Sequence, residues 1–131
     1  MSLIEGNSEE NMSELEVVEL DEHSAKMAKI NTQDIKNAKV FNLSAEESLE
    51  KIVKDSILVV DPPRAGLHKK VVQQITEIKP KQVVYLSCNP VTQARDLKDI
   101  IEAGYRIKFI RGYNFFPKTP HIESLVVLDL L

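Results

Sequence analysis

Val83-Val84-Tyr85-Leu86-Ser87-Cys88-Asn89-Pro90 changes character halfway along its length. Val83 to Leu86 is an apolar run that reads as a buried strand. The run stops at Cys88, the one cysteine among 131 residues, and Asn89-Pro90 turns the chain. Val91 to Ile101 then has helical spacing. Strand, tight turn and helix together make half of a crossover unit. In an open α/β sheet the loop past the carboxyl end of a strand is where ligands sit. The thiol therefore stands where chemistry is usually done, although free cysteines are more often small buried residues.

The same pattern extends in both directions. Ile57 to Val60 is apolar on both faces, as suits the interior of a parallel sheet. It ends in Asp61-Pro62-Pro63-Arg64-Ala65-Gly66-Leu67, where two prolines forbid further ladder pairing. A helix is expected from His68 to Glu77, and Lys79-Pro80-Lys81 turns into the Cys88 strand. Upstream, Leu15 to Leu20 is a strand, and Asp21 can cap a helix reaching about Gln33. Lys39 to Leu43 is another strand. Ser44-Ala45-Glu46-Glu47 has capping-box spacing, which predicts a helix from Ala45 to Val53. Downstream, Ala103-Gly104 ends the helix after Cys88. Tyr105 to Gly112 and Glu123 to Leu131 are strands, joined by an irregular loop with two prolines. Alternating strands and helices imply a parallel sheet with right-handed crossovers. The last two strands have no helix between them and should form an antiparallel pair.

One domain and one core fit this length. A single cysteine rules out an internal disulfide and any multi-cysteine metal or iron–sulfur site built from this chain alone. A free thiol suits a reducing, cytoplasmic compartment. No apolar run approaches the roughly 20 residues that span a bilayer, so no membrane partner is expected. Residues 1–14 are acidic and polar and read as a disordered leader, with residues 15–131 as the folded part. Residues 1–61 carry 6 Lys/Arg against 14 Asp/Glu, a net of −8. Residues 62–131 carry 11 against 6, a net of +5, and a positive half attracts polyanions.

Three loops carry the candidate chemistry: 61–66, 87–90 and 116–123. The first two follow neighbouring parallel strands. The third precedes an antiparallel strand, which begins at the edge where parallel strands end. Glu123 should therefore enter the cleft that holds Cys88, with Asp61 and Arg64 beside them. Thiolates are strong nucleophiles, and a nearby carboxylate can accept a proton. Taken singly, each of these residues also has an ordinary reading as a loop-fixing carboxylate or a surface charge.

Asp61-Pro62-Pro63-Arg64-Ala65-Gly66, Ser87-Cys88-Asn89-Pro90 with Ala94-Arg95-Asp96-Leu97, and Phe116-Pro117-x-Thr119-Pro120-His121-Ile122-Glu123 together resemble the RNA uracil-5-methyltransferase family. The resemblance covers about residues 16–131. It implies a Rossmann-like methyltransferase sheet, with S-adenosylmethionine as cofactor and RNA as partner. It implies that Cys88 adds to C6 of a flipped uracil and that Glu123 removes the C5 proton. Asp61 would lie between cofactor and base, Arg64 and Asn89 would contact substrate, and Glu19 would hold the cofactor ribose. The family's adenine contact falls at Ser44, which departs from the usual Asp. Other readings are a non-catalytic Rossmann-like piece that binds RNA or a partner, and a methyltransferase for cytosine or an amine. An amine enzyme needs no cysteine.

Family members also carry a first strand and a glycine-rich loop that holds the methionine end of the cofactor. No Gly-x-Gly occurs here. The chain is therefore expected to be the C-terminal part of a longer catalytic domain, inactive by itself, with its second and fourth strands lacking their common neighbour. Unpaired buried backbone is costly. The gap should close by direct pairing of those two strands or by self-association through the open edges.

Overall fold

The structure is a computed structural model that describes residues 2–4 and 14–131. Seven strands form one sheet: β1 (Ser2–Ile4), β2 (Leu15–Val18), β3 (Ala38–Phe41), β4 (Ile57–Val60), β5 (Gln82–Ser87), β6 (Tyr105–Tyr113) and β7 (Glu123–Leu130). Their order is β3-β2-β1-β4-β5-β7-β6. β2 to β6 run in one direction, while β1 and β7 run against them. Helices α1 (Glu22–Asn31), α2 (Lys69–Ile78) and α3 (Pro90–Glu102) supply the crossovers. The mixed sheet with its antiparallel C-terminal strand is the expected architecture.

The slot between β2 and β4 departs from expectation. These strands do not pair with each other, and their facing edges are not left open. β1 lies between them, antiparallel to both, with Ser2 opposite Val18 on one side and Val60 on the other. The slot expected to lack a strand thus holds a reversed one drawn from the expected leader. Two apolar strand edges leave backbone donors and acceptors that must be paired, and a strand of either direction can pair them. A three-residue strand inside an acidic stretch leaves no periodicity to read. Residue 1 and residues 5–13 of the expected leader lie outside the described residues.

Local chemistry explains the other elements. Asp21 accepts from the Ser24 backbone N–H at 2.7 Å and starts α1. The Ser44–Glu47 capping box forms, but two short 3₁₀ turns, Ala45–Glu47 and Leu49–Lys51, replace the expected helix. The Ser48 hydroxyl, which donates to the Ser44 and Ala45 carbonyls, competes with helical pairing between them. His68 caps α2, and Asn89 with Pro90 starts α3.

The core lies on one face of the central strands. Leu58, Val83 and Leu128 form one cross-strand row, and Val60, Tyr85 and Val126 the next. Ile75 of α2 and Ile100 of α3 close over them with no exposed surface. Within this core sits a buried carboxylate, Asp96. Its Oδ2 accepts from the Tyr85 hydroxyl at 2.7 Å and from the Leu67 N–H at 2.8 Å. Its Oδ1 accepts from Arg95, whose Nη2 also donates to the Ala65 carbonyl at 2.9 Å. The loop after β4 is thereby tied to α3. Gly66 makes the tie possible. It adopts φ +82°, and a Cβ there would sit 2.6 Å from Arg95 Nη2 and 2.7 Å from Asp96 Oδ2.

Two outcomes follow for stability. Asp96→Ala leaves two buried donors without an acceptor and should cost about 3 kcal/mol, read as a lower urea midpoint at unchanged slope. Burial and the bond to Asp96 push Tyr85 ionisation well above its usual value of 10, and burial pushes Tyr105 up to about 12. The unfolded chain releases these protons first, so stability is intact below pH 10 and falls as pH rises above it. Tyr85→Phe should flatten that alkaline decline in urea titrations between about pH 9 and 11.

Candidate active site

One edge of the sheet collects the candidate residues. Glu19 follows β2, Asp61 follows β4 and Cys88 follows β5, while Tyr113 ends β6 and Glu123 begins β7. β5 and β7 pair through Ser87 and Ser124. The next residue outward on each strand is Cys88 on one and Glu123 on the other. Neighbouring strands lie about 5 Å apart, so thiol and carboxylate are side by side. Both line a cleft of about 510 Å³ with Asp61, Leu86, Tyr113, Phe115, Phe116 and Leu125. Cys88 is partly exposed there. The expected union of Cys88, Glu123 and Asp61 is present.

Residues not singled out beforehand hold this geometry. Gln93 of α3 is 2% exposed, and its Nε2 donates to the Tyr85 carbonyl at 3.1 Å and the Ser124 carbonyl at 3.2 Å. One amide thus clamps β5 to β7 just inside the Cys88–Glu123 pair. The Ser87 hydroxyl accepts from the Asn89 N–H at 2.9 Å and donates to the Asn89 carbonyl at 3.0 Å, which fixes the turn carrying Cys88. The hydrophobic periodicity of α3 would have marked position 93 as inward-facing. The carbonyls it meets lie 8 and 31 residues away along the chain, on two different strands, so only the fold reveals them.

Asn89 and Arg64 serve the scaffold in ways the resemblance did not imply. Asn89 Oδ1 accepts from the Val91 N–H, and its Nδ2 donates to the Arg64 carbonyl at 3.0 Å. Thr92 Oγ1 donates to the same carbonyl at 2.9 Å. The backbone of Arg64 is therefore pinned to α3, which keeps the Asp61 loop against the Cys88 loop. Neither Asn89 nor Arg64 lines the Cys88 cleft or the larger cleft beside it.

The larger cleft, about 1690 Å³, is lined by Glu19, Leu20, Leu43, Ser44, Asp61 and Pro62 among others. Asp61 lines both clefts and so stands at their junction. Glu19 Oε1 accepts from the Asp21 N–H at 3.1 Å, which orients the carboxylate at the end of β2. Ser44 is committed to its capping box with Glu47. A carboxylate at a strand end beside an open cleft suits a ribose, whose two hydroxyls are donors. Among the described residues there is no glycine-rich turn to receive an amino-acid end, and no group of three or more His, Cys, Asp or Glu that could hold a metal ion. No helix among them is long and apolar enough to cross a membrane.

The model of the tRNA (uracil-5-)-methyltransferase family matches residues 24–130. This chain belongs to that family. An uncharacterized RNA methyltransferase of Bacteroides thetaiotaomicron is 38% identical over 110 residues, covering 79% of this chain and 24% of the relative. One of Caldanaerobacter subterraneus is 40% identical over 117 residues, covering 86% and 25%. The chain thus spans about a quarter of the length of the curated relatives it matches. The crystal structure of Pyrococcus abyssi tRNA (uracil-54, C5)-methyltransferase, in complex with S-adenosyl-L-homocysteine, superposes with a TM-score of 0.75 at 37% identity, over 88% of this chain and 29% of that one. The family match contains all three loops at the edge of the sheet.

If Gln93 is the clamp between β5 and β7, Gln93→Ala should cost about 1–3 kcal/mol by urea denaturation. It should also speed alkylation of Cys88 by iodoacetamide, followed by mass spectrometry, because the strand ends loosen there first.

Proposed function

We propose that this chain is the catalytic part of an S-adenosylmethionine-dependent RNA uracil-C5 methyltransferase, acting on tRNA or rRNA in the cytoplasm. The observation that carries the reading is the placement of Cys88 and Glu123 on adjacent strand ends facing one cleft. The Cys88 thiolate attacks C6 of a uracil, and the C5–C6 π pair moves onto C5 and the C4 carbonyl as an enolate. Glu19 would hold the ribose of S-adenosylmethionine and Asp61 would contact the cofactor or the base; when bound, the cofactor would supply the electrophilic methyl group that C5 takes. Glu123 then takes the C5 proton. The electrons of that C–H bond restore the C5–C6 double bond, and the C6–S bond breaks to release Cys88. Covalent catalysis of this kind divides one hard substitution into easier steps. The target base must first leave its stack, because C6 is unreachable inside a helix.

The described residues fit the ribose end of the cofactor and not its methionine end. The 131-residue chain alone is therefore expected to transfer no methyl. That same feature favours a second reading, a Rossmann-like RNA-binding piece without catalysis.

A reaction that needs no cofactor separates the two. Addition of Cys88 to C6 makes C5 basic, so C5 can take a deuteron from heavy water and lose its proton to Glu123. The chain should exchange the C5 hydrogen of uridine in a single-stranded oligoribonucleotide, measured by mass spectrometry. Cys88→Ala should abolish exchange, and Glu123→Gln should slow it by about 10²–10⁴-fold. Exchange at the wild-type rate in Cys88→Ala would remove Cys88 as the nucleophile. No exchange by the wild-type chain would leave the non-catalytic reading.

A further inference from the structure

The stretch from Gly104 to Ile122 contains four Lys/Arg and no Asp or Glu. It also holds five of the seven aromatic residues of the chain, Tyr105, Phe109, Tyr113, Phe115 and Phe116. Only Tyr105 is buried; its hydroxyl donates to the Pro80 carbonyl in the core. Phe115 is 64% exposed and Phe116 60% exposed, an unusual cost for rings that contact little of the core.

Their arrangement is ordered. The Tyr113 and Phe115 rings are stacked, 5.7 Å between centroids and 4° between planes. Arg111 lies over the Tyr113 ring, its Cζ 5.3 Å from the centroid. Strand alternation explains part of this. Arg111 and Tyr113 point to the same face of β6, opposite Leu125 and Glu123 of β7. The loop beyond is closed by Thr119, whose N–H and hydroxyl both donate to the Phe116 carbonyl. The result is a ladder of a cation and two rings that ends on the exposed Phe115, at the wall of the Cys88 cleft.

We infer that Phe115, backed by Tyr113 and Arg111, is a stacking platform for the nucleobase that flanks the target uridine in single-stranded RNA. The inference rests on the methyltransferase reading for the position of the target. A base attacked at C6 by sulfur and methylated at C5 must keep those ring faces open, one to the thiolate and the other to the methyl donor. An aromatic ladder cannot sandwich that ring. When the target leaves its stack, however, each neighbour loses a stacking partner. A flat, cation-backed ring at the cleft wall replaces that partner, and the acid-free cationic stretch around it suits the adjoining phosphates.

The probe is a single-stranded oligoribonucleotide with one uridine, carrying 2-aminopurine on its 5′ or its 3′ side. The 131-residue chain should quench the fluorophore on one of these sides. Phe115→Leu keeps an apolar side chain but loses the flat ring, and it should weaken binding about tenfold or more. Phe115→Tyr should bind as the wild type does. Replacing the stacked base by an abasic nucleotide should weaken wild-type binding by a similar factor and leave Phe115→Leu unchanged, because both changes remove one contact. Additive losses with abasic sites on both flanks would overturn the platform, as would wild-type affinity in Phe115→Leu. Exchange at C5, measured on the same oligonucleotide, keeps the two readings apart. Exchange that depends on Cys88, together with additive losses, would sink the platform and spare the catalytic reading.

Discussion

Glu123 meets Cys88 because β7 runs backwards. A parallel last strand would have delivered its first residue to the far edge of the sheet, about 20 Å from the thiol for a six-residue strand. The reversed strand instead begins where β5 ends, and the Ser87–Ser124 pairing puts Cys88 and Glu123 next to each other. A shift of one residue would turn Glu123 towards the core face and bring Ser124 out. The register is held by what such a shift would cost. Val126 and Leu128 are fully buried, and the exchange would bring the half-buried Leu125 and Val127 in their place.

A second set of contacts holds the loops to the same precision. The edge of a sheet is the least constrained part of its strands, yet three loops must stay in fixed relation there. α3 does this work from below. Its first residues carry Asn89, Thr92, Gln93, Arg95 and Asp96, and each hydrogen-bonds outside the helix to a loop or strand end. The helix that follows Cys88 therefore positions the loop of Asp61 and the strand of Glu123 as well as the thiol. The cost is a buried carboxylate at Asp96, offset by four hydrogen bonds, two of them from the exposed Arg95 side chain.

The central slot of the sheet illustrates a different rule. Its occupant is dictated by unsatisfied backbone and by little else. β2 and β4 need a partner along their facing edges, and a short strand serves in either direction because N–H and C=O groups alternate on both sides of any extended chain.

Much of this was legible from residue order. Cys88 after an apolar run, two prolines after Asp61 and a helix-free link before Glu123 lead to one edge of one sheet, since strand direction follows from the connections. The Ser44 capping box and the Asp21 cap were also plain, because their partners lie three residues away. The tertiary structure alone decided what long-range contacts decide: the reversed Ser2–Ile4 strand, the Gln93 clamp and the tie from the Asn89 side chain to the Arg64 carbonyl. Local patterns are written in neighbouring residues. A hydrogen bond between groups 28 or 31 positions apart is written nowhere in the chain until folding brings them together.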